Sequence, residues 1–288
     1  MRIKHGLVAA FAVSALLLTG CTGAETPRLE EKIVVDADPA AVALLPEGIG
    51  DTLSVAINPE YQPNEYHNEK GELAGWTVDL ADAVAQKLGV TFEYKEVSFD
   101  SIIPGVVDGT FDIGFSSFTD NEERRELVNF VDYYDAGIQW AQLVGGTVNP
   151  NEACSLTVAV QSGTYQETDE LPAKSEACVA AGMPAITILP VATQTEATTS
   201  LVLERADAMS ADSPITLNAV SLISDQIEVA GEAFDVAPYG IALGKESGLE
   251  LAIQAALQSL KDDGNYLKVL EGWGVADGSR ADFTINGG

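Results

Sequence analysis

The stretch GFSSFTDNEERRE, residues 114–126, sets Ser117 and Thr119 two positions apart, with Arg124 shortly beyond them. Alternate residues of an extended chain face the same way, so both hydroxyls present one side if the strand persists. A helix N-capped by Asp120 or Asn121 would then place Arg124 in its first turns. A guanidinium offers paired donors in the geometry a carboxylate accepts, and an ammonium cannot reproduce that fork. The chemistry these residues suit is anion recognition. The same letters read equally well as a solvated helix face, in which Glu and Arg pair locally for a few tenths of a kcal/mol and Arg125 is an ordinary surface residue. A second candidate is QSGTYQ, 161–166, where a strand ending in Ser162-Gly163-Thr164 before a helix would expose backbone N–H groups to an anion. A plain turn with an N-cap fits those letters too. Asp212 ends DAMSAD just before Ser213-Pro214, a natural N-cap position, and Asp207 in the same stretch reads as structural.

These residues sit among alternating strand and helix patterns. TLSVAIN (52–58) reads as strand, WTVDLADAVAQKLG (76–89) as helix and VTFEYKEV (90–97) as strand. The helix is the clearest element: Trp76, Leu80, Val84 and Leu88 recur at helical spacing, Asp79 sits near its start, Lys87 near its end, and Gly89 can cap it. A short helix over 100–107, a turn at Asp108-Gly109 and a strand over 111–117 follow. After AGIQWAQLVGG the pattern restarts with strands at LTVAVQSG, AITILPV and DAMSAD, and with helices entered through Thr164, at TEATTSLVLERA and from Ser213. The closing strand and helices, YGIALGKESG and LELAIQAALQSLKDDGNYLKVLEGWG, are too short for a third domain and are expected to return to the first. The fold class is α/β, with mostly parallel strands flanked by helices. The reading is a first lobe over 51–146, a second over 147–238 and a return segment over 239–288. Two crossings between such lobes imply a hinged pair with a cleft, where binding sites commonly lie.

The chain begins with Arg2 and Lys4, an apolar run from Gly6 to Leu18, and Leu18-Thr19-Gly20-Cys21. That order is a secretory signal over 1–20, and the run is shorter than the roughly 20 apolar residues of a transmembrane helix. Its end resembles the lipobox of bacterial lipoproteins, which implies acylation of Cys21 and a tether over 21–50, a segment rich in Ala, Pro and Glu. The expected location is the outer face of a membrane, held by lipid. Acidic residues number 44 against 15 basic ones, for a formal charge of −29, which becomes −31 without Arg2 and Lys4. That balance argues against nucleic acid as a partner and favours a soluble monomer, while saying little about a ligand. Cys154 and Cys178 remain, with no CxxC and no neighbouring histidine, so a structural disulfide is expected rather than a metal or redox site; two free buried thiols are the alternative. No cofactor is expected.

Five segments in order resemble the family 3 extracellular solute-binding proteins of amino-acid ABC transporters: YQPNEYHNEKGELAGWTVDLADAVAQKLG, FDSIIPGVVDGTFDIGFSSFTDNEERRELVNFVDYYDAG, VAVQSGTYQE, ADAMSADSP and LKDDGNYLKVLEGWG. The resemblance spans roughly residues 51–275, and SSFT with the cysteine pair looks most like an actinobacterial branch. It implies a two-lobed periplasmic-binding-protein fold, a free α-amino acid as ligand and a membrane permease as partner. Arg124 falls where such proteins carry their carboxylate-binding arginine, and Thr164 matches a residue that binds the same carboxylate from the other lobe. Asp212 matches the aspartate that pairs with the ammonium, with Ser117 a second acceptor. Tyr61 and Phe99 match rings that cover the ligand side chain, although isolated aromatics otherwise default to core packing, as Trp76 does. Asn64 stands where many relatives carry an aromatic, and Asn58 where binders of basic amino acids often carry an aspartate. The missing charge at Asn58 favours a polar or neutral amino acid. A dehydratase on the same fold would need a cleft acid, for which Glu60 or Glu65 is conceivable; His67, the one histidine beyond the leader, reads as surface. A tethered sensor is a third possibility.

Overall fold

The computed structural model describes residue 29 and residues 31–287. The leader and Cys21 lie outside the described residues. In chain order the elements begin with α1 (Pro39–Val42), β1 (Thr52–Ile57), β2 (Glu60–Tyr61), β3 (Glu65–His67), β4 (Leu73–Ala74), α2 (Trp76–Leu88), β5 (Thr91–Glu96), α3 (Phe99–Val107), β6 (Ile113–Thr119), α4 (Glu122–Leu127) and β7 (Val128–Leu143). The second half carries β8 (Thr157–Gln161), a π-helical turn (Gln166–Glu170), α5 (Leu171–Ala180), β9 (Thr187–Val191), α6 (Gln194–Val202), β10 (Ala208–Asp212), α7 (Ser213–Leu222), β11 (Ile227–Gly244), α8 (Glu250–Asp262), α9 (Asn265–Gly272) and a short 3-10 turn (Ala276–Gly278).

Helix α2 forms where its apolar spacing and caps require. Trp76, Leu80, Val84 and Leu88 are all buried, and Gly89 takes the left-handed conformation (φ 66°) that ends the helix. Burying side chains of this size stabilises by about 1.5–3 kcal/mol each. The apolar face meets Ile253 and Leu257 of α8, Tyr266 of α9, and the sheet. On the opposite face Ile102, Ile103 and Val106 of α3 pack on Phe118 and Phe130. The closing helices α8 and α9 therefore share one core with α2 and the β1-side of the sheet. In the second lobe Trp140, Val158 and Leu171 fill one face of the sheet, and Ala159, Leu201, Met209 and Ile227 the other. Cys154 and Cys178 form a disulfide with Cα atoms 5.5 Å apart, tying the entry of β8 to α5.

The strands make one curled mixed sheet, ordered β5-β1-β6-β11-β7-β10-β8-β9, with a small sheet β2-β3-β4 beside it. Parallel pairs β1/β5 and β1/β6 lie at one end, and β8/β10 and β8/β9 at the other. The two long antiparallel strands β7 and β11 run through both lobes and are themselves the crossings. Their ladder shifts register between Ala230 and Phe234 and again before Ala237, opposite the 136–138 segment. Bulges there interrupt the backbone pairing that would stiffen a continuous ribbon. Turn-type residues do sit inside these strands, Gly137 in β7 and Gly231 (φ 73°), Asp235 (φ 48°) and Pro238 in β11, yet the boundary signal read from the sequence is only the Gly145-Gly146 turn.

The segment expected to be a tether up to residue 50 is docked within the described residues, where Leu29 already packs against the core. Ile33 and Ala41 are buried in the first-lobe core, the Val35 N–H donates to Gln86 Oε1 at 3.0 Å, and the Asp38 N–H donates to the Lys87 carbonyl at 2.8 Å. Single apolar residues in extended chain have no periodicity to betray the groove they fill.

Candidate functional site

Each of the eight residues singled out for binding, Asn58, Tyr61, Phe99, Ser117, Thr119, Arg124, Thr164 and Asp212, lines one pocket between the lobes, closed here to a cavity of about 10 Å³. It also holds Glu65, Ser116, Gln161, Tyr165 and Gln166, to which the sequence assigned no binding role.

Arg124 is set by its helix cap. Asn121, rather than Asp120, is the N-cap of α4, and its side chain accepts the Arg124 N–H at 2.8 Å. The guanidinium is buried, donating from Nη1 to the Thr119 carbonyl at 3.0 Å and from Nη2 across the cleft to the Gly163 carbonyl at 2.9 Å. It lies over the rings of Phe99 (5.8 Å) and Phe118 (5.6 Å), which stack on each other at 4.5 Å. Burial pulls its pKa below the usual arginine range, opposed by the charges of Asp169 and Asp212. An arginine starting above 12 stays charged.

Ser117 departs from the expected extended geometry. Its φ of 52° is left-handed, and β6 loses register against β11 over this stretch. The alternation of faces breaks, so Ser116 and Ser117 are both buried and both meet Glu65. Ser116 Oγ donates to Glu65 Oε1 at 3.1 Å and Ser117 Oγ to Oε2 at 3.0 Å. Glu65 has no exposed surface, and burial pushes its carboxyl up to about 8, with the two serine hydroxyls pulling the other way. Among 44 acidic residues the sequence offered it only as an alternative to Glu60, a conceivable cleft acid, with no role in binding. Its partners lie 51 and 52 positions away.

Asp212 sits at the N-cap position of α7 without capping it by its side chain. Its carboxylate instead accepts from Tyr239 Oη (2.7 Å), Tyr61 Oη (2.9 Å) and Gln166 Nε2 (2.7 Å). Burial raises its pKa, while those donors and the Arg124 charge lower it. Asp207 accepts the Thr157 N–H at 2.7 Å. Asn58 bridges the lobes: its side chain donates to the Val97 carbonyl at 2.9 Å and accepts from Gln161 Nε2 at 2.8 Å.

The anticipated set of free N–H groups around Thr164 is not formed. The Ser162 N–H donates to the Val191 carbonyl at 2.9 Å, and the Gly163 N–H donates to Glu167 Oε2 at 2.6 Å. An acid four residues on folds back and occupies the turn, and the chain continues as a π-helical turn instead of a regular α-helix. Thr164 Oγ1 donates to the Gln161 carbonyl at 2.7 Å. Arg125 is no simple surface residue: its Nε lies 3.4 Å from buried Asp120 Oδ1, and its Nη1 donates to the Asn286 carbonyl at 3.1 Å. Trp76 is core, as its spacing suggested, and His67 pairs with Glu96 at 3.0 Å on the surface.

The pocket so described joins one guanidinium, two carboxylates and aromatic walls from both lobes, an arrangement for holding a small molecule with charges of both signs. The arginine-binding protein ArgT of Corynebacterium glutamicum is 42% identical over 260 residues, covering 89% of this chain and 86% of its own. The structure of an ancestral arginine-binding protein bound to arginine superposes with a TM-score of 0.72 at 32% identity, covering 78% of this chain and 98% of that one. An ancestral amino acid-binding protein described as a precursor of cyclohexadienyl dehydratase superposes with a TM-score of 0.66 at 30% identity, over 77% and 95% of the two chains. The sequence profile of one family matches residues 53–276, and the chain belongs to it: the bacterial extracellular solute-binding proteins, family 3.

Proposed function

We propose that this protein captures a free α-amino acid with a cationic side chain, arginine foremost, between its lobes and hands it to an ABC permease. The observation that carries this reading is Glu65, a second buried carboxylate in the pocket that already holds Arg124 and Asp212. A zwitterion brings no net charge, so with all three groups ionised a neutral ligand leaves one buried negative charge unbalanced. A cationic side chain removes that imbalance. In this assignment Arg124 takes the α-carboxylate, joined by the Thr164 hydroxyl once its proton turns from the Gln161 carbonyl, Asp212 the ammonium and Glu65 the side-chain cation, while Phe99 and Tyr61 wall the slot. The charge absent at Asn58 is supplied by Glu65, seven residues on. ArgT and the ancestral arginine-binding protein support the same choice.

A polar, neutral amino acid is the second reading, favoured by Asn58 and by a Glu65 that burial holds near 8. Protonated, that residue would leave Arg124 and Asp212 balanced. Calorimetry of the purified protein with L-arginine, L-lysine, L-glutamine and L-citrulline separates the two. We expect arginine to bind at least tenfold more tightly than citrulline, its neutral isostere, and equal affinities would overturn the assignment. The relatives are binding proteins, and we read this pocket as one for capture, not turnover. Anchoring through an acylated Cys21 is proposed from the leader alone, and unchanged membrane retention of Cys21→Ser in cells would refute it.

A further inference from the structure

Asn64 has no exposed surface, and the arrangement around it fixes the direction of the two serine protons that reach Glu65. The Trp76 indole can only donate, so the Asn64 atom that it meets at 2.6 Å is the carbonyl oxygen. The amide NH2 therefore faces Ser117 Oγ, 2.9 Å away, and donates to it. With its oxygen engaged, Ser117 directs its one proton to Glu65 Oε2 at 3.0 Å. Ser116 follows the same logic: it accepts the Asn58 backbone N–H at 3.0 Å and sends its proton to Glu65 Oε1 at 3.1 Å. Both serine protons thus point at the Glu65 oxygens and favour the carboxylate anion, against the burial that pushes its pKa up to about 8.

We propose that Asn64 is a positioning residue for ligand selectivity, which by orienting the Ser117 hydroxyl keeps Glu65 an acceptor for a cationic side chain. The inference rests on the reading of Glu65 given above. The groups that face the Glu65 carboxylate are Ser116 and Ser117 of β6, Thr77 of α2, Tyr61 of β2, Tyr133 of β7 and Asp212 of β10; of these only Asp212 is a competing anion, and it raises the Glu65 pKa. Without the Asn64 donor, the Ser117 hydroxyl is free to turn and Glu65 loses one of its two serine donors. The anion becomes less favourable, and selection for a positive side chain weakens with it.

The test is a double-mutant cycle of Asn64→Leu and Ser117→Ala, read as the ratio of L-arginine to L-citrulline affinity, with melting temperatures recorded for each protein. Loss of one charge-assisted hydrogen bond predicts that Asn64→Leu lowers the ratio roughly tenfold, and that the pH at which arginine affinity levels off moves up by about one unit. The double variant should match Ser117→Ala alone, because Asn64 acts through that hydroxyl. Equal weakening of both ligands with an unmoved pH profile, or losses that simply add, would overturn the proposal. Should Asn64→Leu fail to fold, Ser117→Ala decides on its own: it keeps the Trp76–Asn64 bond, and an unchanged ratio would sink the idea. Wild-type protein that does not favour arginine over citrulline would instead sink the underlying reading of Glu65, so the two failures are distinguishable.

Discussion

Lowering the pH should loosen arginine binding through Glu65 and leave citrulline untouched. In the ligand-free pocket burial holds this carboxyl at about 8, whereas an adjacent guanidinium lowers such a pKa by about 1–3 units. Taking a drop of about two units, the bound form titrates near 6, so binding at intermediate pH expels a proton. The sign follows: affinity rises with pH up to about 8 and levels off above it. About 3% of the free group is ionised at pH 6.5 against about 75% at pH 8.5, which, with the bound form near 6, weakens arginine binding roughly 20-fold on going down. At pH 7 about 0.8 proton leaves per ligand bound by the same bookkeeping. Titration calorimetry in buffers of differing ionisation enthalpy reads that number directly, and Glu65→Gln should abolish both the slope and the preference for arginine. The ligand-free protein should also lose stability as pH climbs from about 4.5 to 8, since the folded state retains a proton that the unfolded chain releases. A flat affinity profile with no buffer dependence would refute the claim that Glu65 meets a cation.

Three further outcomes follow from the geometry. Arg124→Lys keeps the charge but loses the fork that reaches both the Thr119 and Gly163 carbonyls, so affinity for every amino acid should drop roughly tenfold to hundredfold, and Arg125→Ala should instead cost about 2 kcal/mol of stability by releasing Asp120 and Asn286. Equal binding defects in the two arginine variants would defeat this division of roles. Gly163→Ala puts a Cβ 2.9 Å from Asp100 Cβ of the other lobe at a φ of 80°, so it should impede closure, weakening binding with little change in either lobe's packing; wild-type affinity would show that the lobes need not approach so closely. Reduction of Cys154–Cys178, 24 residues apart in sequence, should destabilise the second lobe by about 3 kcal/mol, measured as the fall in unfolding free energy on adding reductant, and an unchanged midpoint would deny it a structural role.

The local grammar of the chain carried much of the fold. The apolar period of α2 and the αL glycine at 89 depend on residues a few positions away and formed as read, and of the two caps offered, Asp120 or Asn121, Asn121 is the one that formed. The family register likewise gathered Arg124, Asp212 and their companions around one pocket from segments as much as 154 residues apart, from Asn58 to Asp212. Other features were silent for a physical reason. β7 and β11 run on as strands through turn-type residues such as Gly137, Gly231 and Asp235, so such residues there mark no element end, and Ile33 docks from an extended chain with no period. The turn at Ser162–Thr164 looked open until Glu167 folded back on it.

What the sequence determined alone was therefore whatever nearest neighbours decide: where helices begin and end, which faces are apolar, and which motifs stand in family order. The tertiary structure alone decided which acid matters. Glu65 is one glutamate among many until β6 bends at Ser117 and brings two hydroxyls from across the lobe to its oxygens. The same folding made Arg125 a structural tie to Asn286, 161 residues away, while Arg124 beside it turned into the cleft. Charge and burial are properties of a place in three dimensions, and no spacing along the chain encodes the desolvation that sets a buried carboxylate apart from an exposed one.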